Sequence, residues 1–166
     1  ANPAARLSVF PRKYHFKSWK MASGVKVSDD CKERFSQMKL GHKHQYILYR
    51  LSDDLKEIIV QELGGKGDSY ESLVELFRAA EAESQCRYAL FDLEYTTLSG
   101  TKKNKILFFM WSPDSAKIKQ KMVYSASKDA LKKALGDGIG KEVQANDEDD
   151  LNMDSIVEEL QKTDRN

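Results

Sequence analysis

The chain has 166 residues, 40% of them hydrophobic and 32% charged, with a formal net charge of +1. That length supports one domain with a buried core, and no stretch approaches the roughly 18 consecutive apolar residues of a membrane helix. Only two cysteines are present, Cys31 and Cys86, in neither a CxxC nor a zinc spacing, so they read as reduced core thiols and not as a disulfide scaffold.

The charge is unevenly placed. Residues 1–20 hold Arg6, Arg12, Lys13, Lys17 and Lys20 and no acid, leaving 22 basic against 26 acidic residues in the remainder. A mildly acidic body argues against a nucleic-acid partner, whose binding domain should be basic. The basic opening resembles a transit peptide, a translated leader or residues added to the natural chain, yet it shows no clear amphipathic run. Small residues after Met21, followed by a clean helix start, place the folded unit at 21–162, with 163–166 as a tail.

From there the elements follow in order. Ser28 or Asp29 caps a first helix whose Cys31, Phe35 and Met38 recur on one face, and Gly41 ends it. Tyr46 to Leu51 and Glu57 to Leu63 are rich in β formers around a Ser52-Asp53-Asp54 turn, which predicts a hairpin. Gly64, Gly65 and Gly67 read as a flexible loop. Asp68 with Glu71 three residues later reads as a capping box for a helix carrying Leu73, Val74, Leu76, Phe77 and Ala80. Arg87 to Leu98 is a long strand, Ser99 to Asn104 a basic turn, and Lys105 to Trp111 an apolar strand buried on both faces.

Ser112, Pro113 and Asp114 form the strongest helix-start signal in the chain, so the next helix is expected to begin at Pro113. At about 100° per residue, Ile118 and Met122 lie within about 40° of each other, Ala116 and Val123 lie roughly opposite, and Lys119 and Lys121 flank the first pair. A helix resting on one sheet needs a single apolar stripe. The second, set among lysines, points to a partner surface with an apolar centre and a cationic rim. The competing reading is a fully packed helix whose lysines snorkel. Ser127 and Asp129 are read as starting a further helical stretch through Leu131, Ala134 and Leu135, stopped by Gly136, Gly138 and Gly140. Lys141 to Ala145 suits a short edge strand, Asn146 to Asp150 an acidic linker, and Ile156, Val157 and Leu160 one face of a closing helix. The sum is one α/β domain, a mixed sheet of about five strands with helices on both faces.

Catalytic and cofactor motifs fail on their partners. Gly65-Lys66-Gly67 lacks the upstream glycine and the hydroxyl residue of a phosphate-binding P-loop. His42 and His44 have no carboxylate or cysteine at metal-ligand spacing. Ser125-Ala126-Ser127-Lys128 matches S-x-x-K without its companion motifs. No Ser/His/Asp set or paired carboxylates stand out, so the chain reads as a binding protein with no cofactor or metal. A small α/β enzyme acting on phosphorylated substrates at Lys66 is the rival from a different class.

Four segments together carry a resemblance: MASGVKVSDDCKERF, CRYALFDLEY, KILFFMW and WSPDSAKIKQKMVYSASKDALKKAL. In this order, over about Met21 to Leu160, the chain resembles the actin-depolymerising factor/cofilin family. The resemblance implies a single ADF-homology domain and no enzymatic activity. It implies a monomer that binds actin monomers and filaments, prefers the ADP-bound state, and severs and depolymerises filaments. A monomer-sequestering or filament-side-binding module with weak severing is the alternative. Carried across, the family's contacts with both actin forms fall on Ser23, Gly24, Val25, Ile118, Lys119, Lys121, Met122, Ser127, Lys128 and Asp129. Those needed only for filaments fall on Lys102, Lys103, Lys105, Glu158, Glu159 and Lys162, with the charge at Glu159 reversed relative to many relatives. Ser23 matches the inactivating phosphorylation site, which implies a regulatory kinase and phosphatase. Lys119 and Lys121 match a phosphoinositide-binding surface. A cytoplasmic protein of the actin cytoskeleton is implied, with the nucleus left open.

Overall fold

The computed structural model describes residues 24–164. The basic leader 1–20, Met21 and Ser23 lie outside the described residues. Among the described residues one six-stranded sheet forms, from β1 (Lys26–Val27), β2 (His44–Leu51), β3 (Glu57–Gly65), β4 (Arg87–Thr96), β5 (Lys102–Trp111) and β6 (Ile139–Ala145), in the order β1-β3-β2-β4-β5-β6. The four central strands are antiparallel neighbours, while β1 adds parallel to β3 and β6 parallel to β5 at the two edges. The sixth strand, absent from the sequence reading, is the two-residue β1.

Among the described residues four α-helices cover the sheet: α1 (Asp29–Gly41), α2 (Tyr70–Ala82), α3 (Ile118–Leu135) and α4 (Met153–Thr163). Strand alternation decides which helix faces which residues, because neighbours along a strand point to opposite sides. Ile47, Tyr49, Tyr88, Leu90, Phe108 and Met110 meet Cys31, Phe35 and Met38 of α1 and Tyr124, Leu131 and Leu135 of α3. Leu48, Ala89, Phe91, Leu107, Phe109 and Trp111 meet Leu73, Phe77 and Ala80 of α2 and Ile156 and Leu160 of α4. The central strands are apolar on both faces for that reason. Both cysteines are buried and free, and burial pushes both thiols up from their ordinary range.

Several boundaries move. Asp68 does not cap α2: its carboxylate accepts from the Gly65 N–H (2.7 Å), and Ser69 is the cap, accepting from the Ser72 N–H (3.2 Å). Gly64 and Gly65 belong to β3 and not to a loop. Gly64 is held there because the Tyr46 ring lies flat over the space a side chain would need. A Cβ at Gly64 would sit 2.3 Å from Tyr46 Cδ2, so Gly64→Ala forces a buried ring to move. We expect a loss of roughly 1–3 kcal/mol, read as a lower denaturant midpoint at unchanged slope. Gly65→Ala next to it meets nothing closer than 3.7 Å and serves as the control.

The largest shift is at the central helix, which begins at Ile118 and not at Pro113. Ser112 extends the sheet instead of capping, its N–H donating to the Ala145 carbonyl (2.8 Å). Pro113 to Ala116 closes as a turn, with the Ala116 N–H donating to the Pro113 carbonyl (2.9 Å), and the Lys117 N–H is drawn to the Ser84 carbonyl (3.0 Å). Past Ile118 the helix runs unbroken to Leu135, so no second helix starts at Ser127. Gly136, at φ 77°, ends it in the left-handed region that glycine enters without strain.

Candidate functional site

α3 is the element that places the first candidate surface. Tyr124, Ser127, Leu131 and Leu135 face the core, spaced along the helix as its inner stripe. On the outer side, Ile118 is 76% and Met122 67% exposed, among the few large apolar side chains left open to solvent. A packed helix with snorkelling lysines would bury them, so that reading is overturned. Lys119 flanks the pair on one side and has no ion pair or hydrogen-bond partner among the described residues. Lys121 flanks the other side and donates to the Asp114 carbonyl (2.8 Å). The helix therefore carries an apolar centre between two cations that pair with no acid among the described residues.

The N-terminal segment packs on the sheet face that α3 covers. Lys26 pairs with Glu57 in register, and Val25 packs half-buried in the same core layer as Val123 of α3. β1, which follows Gly24 and Val25, contacts α3, while Ser23 lies outside the described residues.

Ser127 does not belong to the surface. Nine residues past Ile118 it lies about 180° round the helix, is 1% exposed, and points inward with its hydroxyl unpaired. Asp129 is exposed and, at about 20° from Ile118, extends the outer stripe. Ser125 and Ala126, exposed between Met122 and Asp129, were missed by the sequence reading although the same helical angle assigns them. Lys128 is committed internally: it and Lys132 both donate to Glu142, each at 2.6 Å. Burial opposes ionisation of Glu142, and the two lysine hydrogen bonds outweigh it, leaving the carboxyl below its ordinary range.

The second candidate surface lies at the other end of β5. β5 runs ten residues from Lys102 to Trp111, which puts the two surfaces roughly 30 Å apart. The β4–β5 turn is shorter than expected, spanning 97–101, because Lys102 to Asn104 are already in the ladder opposite Thr96 to Glu94. Strand alternation splits the expected lysines. Lys103 and Lys105 face α4 and pair with Asp164, at 3.6 and 3.1 Å, whereas Lys102 faces the opposite side and pairs with Glu94 at 3.7 Å. Glu158 pairs with Lys162 within α4 (3.6 Å), and Glu159 reaches Lys141 of β6 (2.8 Å). Asp164, at the end of α4, gave no signal in the sequence, yet it is the residue on which Lys103 and Lys105 converge.

The other motifs are occupied by structural roles. His42 Nδ1 meets Asp92 Oδ2 (2.6 Å) and His44 Nε2 meets Gln37 Oε1 (2.8 Å). No group of three or more metal-ligating side chains occurs among the described residues. The amides around Lys66 that a phosphate would need are taken: Gly65 N–H by the Asp68 carboxylate, Gly67 N–H by Gln45 Oε1 (3.2 Å).

With the geometry in place, comparison with known proteins is decisive. The sequence profile of cofilin/tropomyosin-type actin-binding proteins matches residues 24–161, the whole of the sheet and nearly all of α4. The chain belongs to the actin-depolymerising factor/cofilin family. Actophorin of Acanthamoeba castellanii is 42% identical over 140 residues, covering 84% of this chain and 97% of that protein. Cofilin of Mycosarcoma maydis is 44% identical over 143 residues, covering 86% and 99%. The crystal structure of a cofilin from Streptomyces griseoflavus superposes with a TM-score of 0.71 at 38% identity, covering 84% of this chain and 98% of that one. The expected ADF-homology fold, with helices on both faces of a mixed sheet, is thus the fold observed, with six strands where about five were expected.

Proposed function

We propose that this protein binds ADP-actin monomers and filaments and severs and depolymerises the filaments. The observation that carries the reading is the exposed Ile118/Met122 pair between Lys119 and Lys121, on a helix whose opposite face is fully packed. Apolar side chains at the centre of an interface supply the affinity, and charges at the rim supply orientation and encounter rate. Gly24, Val25 and Asp129 extend that surface, and Ser23 precedes it as the proposed phosphorylation site of a regulatory kinase and phosphatase. A phosphate there adds about −1.5 to −2 charge beside an interface that recognises acids with lysines. Phosphoinositide head groups compete for the same lysines. The protein acts as a monomer in the cytoplasm.

Severing follows from two-point attachment. With the α3 surface on one filament subunit and the β4–β5 and α4 surface on the next, roughly 30 Å away, the protein favours the subunit arrangement that fits both. A ligand moves a conformational equilibrium only by its differential affinity, so strain collects where coated and bare filament meet. One observation favours a monomer-sequestering or side-binding alternative: Lys102, Lys103, Lys105 and Lys162 are all paired with internal acids.

Co-sedimentation with ADP-actin filaments tests both. Protein in the pellet together with more actin in the supernatant is expected. Soluble actin rising without pelleted protein selects sequestration, pelleting without filament shortening selects side binding, and no effect on actin removes the reading.

A further inference from the structure

The two surfaces differ in how their cations are held. Among the described residues, Lys119 on α3 has no pairing partner and Lys121 is bound only to a carbonyl. At the far end, Lys103 and Lys105 converge on one carboxylate, Asp164, whose side chain is 7% exposed. The Tyr95 hydroxyl donates to the other oxygen of the same carboxylate. That bond, with Lys105 and Lys103, prevails over burial and holds Asp164 below the ordinary carboxylate range, so it is ionised at neutral pH. Lys105 is fixed further along its stem, which lies across Gly140: a Cβ there would come within 3.0 Å of Lys105 Cβ and 3.1 Å of its Cδ.

We propose that Asp164 restrains filament binding by holding Lys103 and Lys105, and so sets the balance between filaments and monomers. The inference rests on the actin reading above and deepens its filament half. Asp164 is a positioning residue: it is largely buried and acts through the two lysines. An acidic partner must compete with the internal carboxylate for both ammonium groups, and the site it approaches carries one positive charge where two would otherwise stand. Like charge near the contact slows encounter and weakens attachment, more so at low ionic strength. Lys119 faces no such competitor, so monomer binding through α3 is independent of Asp164.

Asp164→Asn is the informative change, because asparagine retains an oxygen to accept the Tyr95 hydroxyl while losing the charge. Filament affinity is measured by co-sedimentation at about 20 mM and about 200 mM salt, and monomer affinity by fluorescence titration. At low salt, filament affinity should rise about threefold, the gain should shrink at high salt, and monomer affinity should stay unchanged. In the Lys103→Gln/Lys105→Gln background the same substitution should give no gain, a cycle that isolates the coupling. A filament affinity that is unchanged or weaker overturns the proposal. So does an equal gain for monomers, or a gain that persists without the two lysines. A wild-type chain that binds neither actin form overturns the actin reading itself, whereas one that binds actin and does not respond to Asp164→Asn overturns this inference alone.

Discussion

Replacing Lys119 and Lys121 together by glutamate should lower affinity for actin monomers and filaments alike by about 100-fold or more. The two ammonium groups flank Ile118 and Met122 on opposite sides, and neither pairs with an acid among the described residues. In the proposed interface, reversal removes two attractive contacts and sets two like charges against the acidic groups of actin. Little in the fold depends on them: Lys119 is exposed with no partner among the described residues, and Lys121 loses one hydrogen bond to a carbonyl on the surface. Thermal stability should change by less than about 0.5 kcal/mol. Fluorescence titration with monomers and co-sedimentation with filaments read the loss, and retained monomer binding would refute the role given to these lysines. Lys103→Gln with Lys105→Gln is the counterpart, sparing monomers and weakening filaments, and equal loss in both assays contradicts two separate surfaces.

Much of this site was legible because helical periodicity is local. The angle that puts Ile118 and Met122 together also puts Asp129 and Ser125 with them and Ser127 opposite, so the misplacement of Ser127 came from transferring a family position against the chain's own pattern. Period-2 alternation likewise separates Lys102 from Lys103 and Lys105 once the strand is known to start at Lys102. What could not be read is non-local. Ser112-Pro113-Asp114 is a strong start signal, yet Ser112 is held in the sheet, its N–H on Ala145, 33 positions away, and its hydroxyl accepting from Cys86 Sγ. Gly64 reads as a loop residue until the Tyr46 ring is seen covering it. Asp164 is one acid in a polar tail, and only the packing of α4 across β5 brings it to Lys103 and Lys105. Core faces of α1, α2 and α4 were plain from spacing because burial there follows the simple stripe pattern.

The inner and outer stripes of α3 should separate stability from binding. Leu131 is fully buried among Tyr124, Phe108 and Leu135 in the α1/α3 layer. Leu131→Ala leaves a cavity between helix and sheet that close packing cannot refill, with an expected loss of about 2–5 kcal/mol. For a domain of this size that lowers the melting temperature by roughly 10 °C. Binding by the molecules that remain folded should be nearly unchanged, since Leu131 lies on the far side of the helix from the proposed actin surface. Ile118→Ala with Met122→Ala should do the reverse. Both side chains are already largely in water, so truncation forms no cavity, and alanine is the better helix former. Stability should hold within about 0.5 kcal/mol or improve. Affinity for both actin forms should fall by about 30-fold to 100-fold, because the apolar area those side chains would bury against actin is lost. Thermal melts and monomer titrations on the two variants give a crossed pattern if one stripe holds the fold and the other meets actin. If Ile118→Ala/Met122→Ala melts early and still binds, the outer stripe is packing and the interface lies elsewhere.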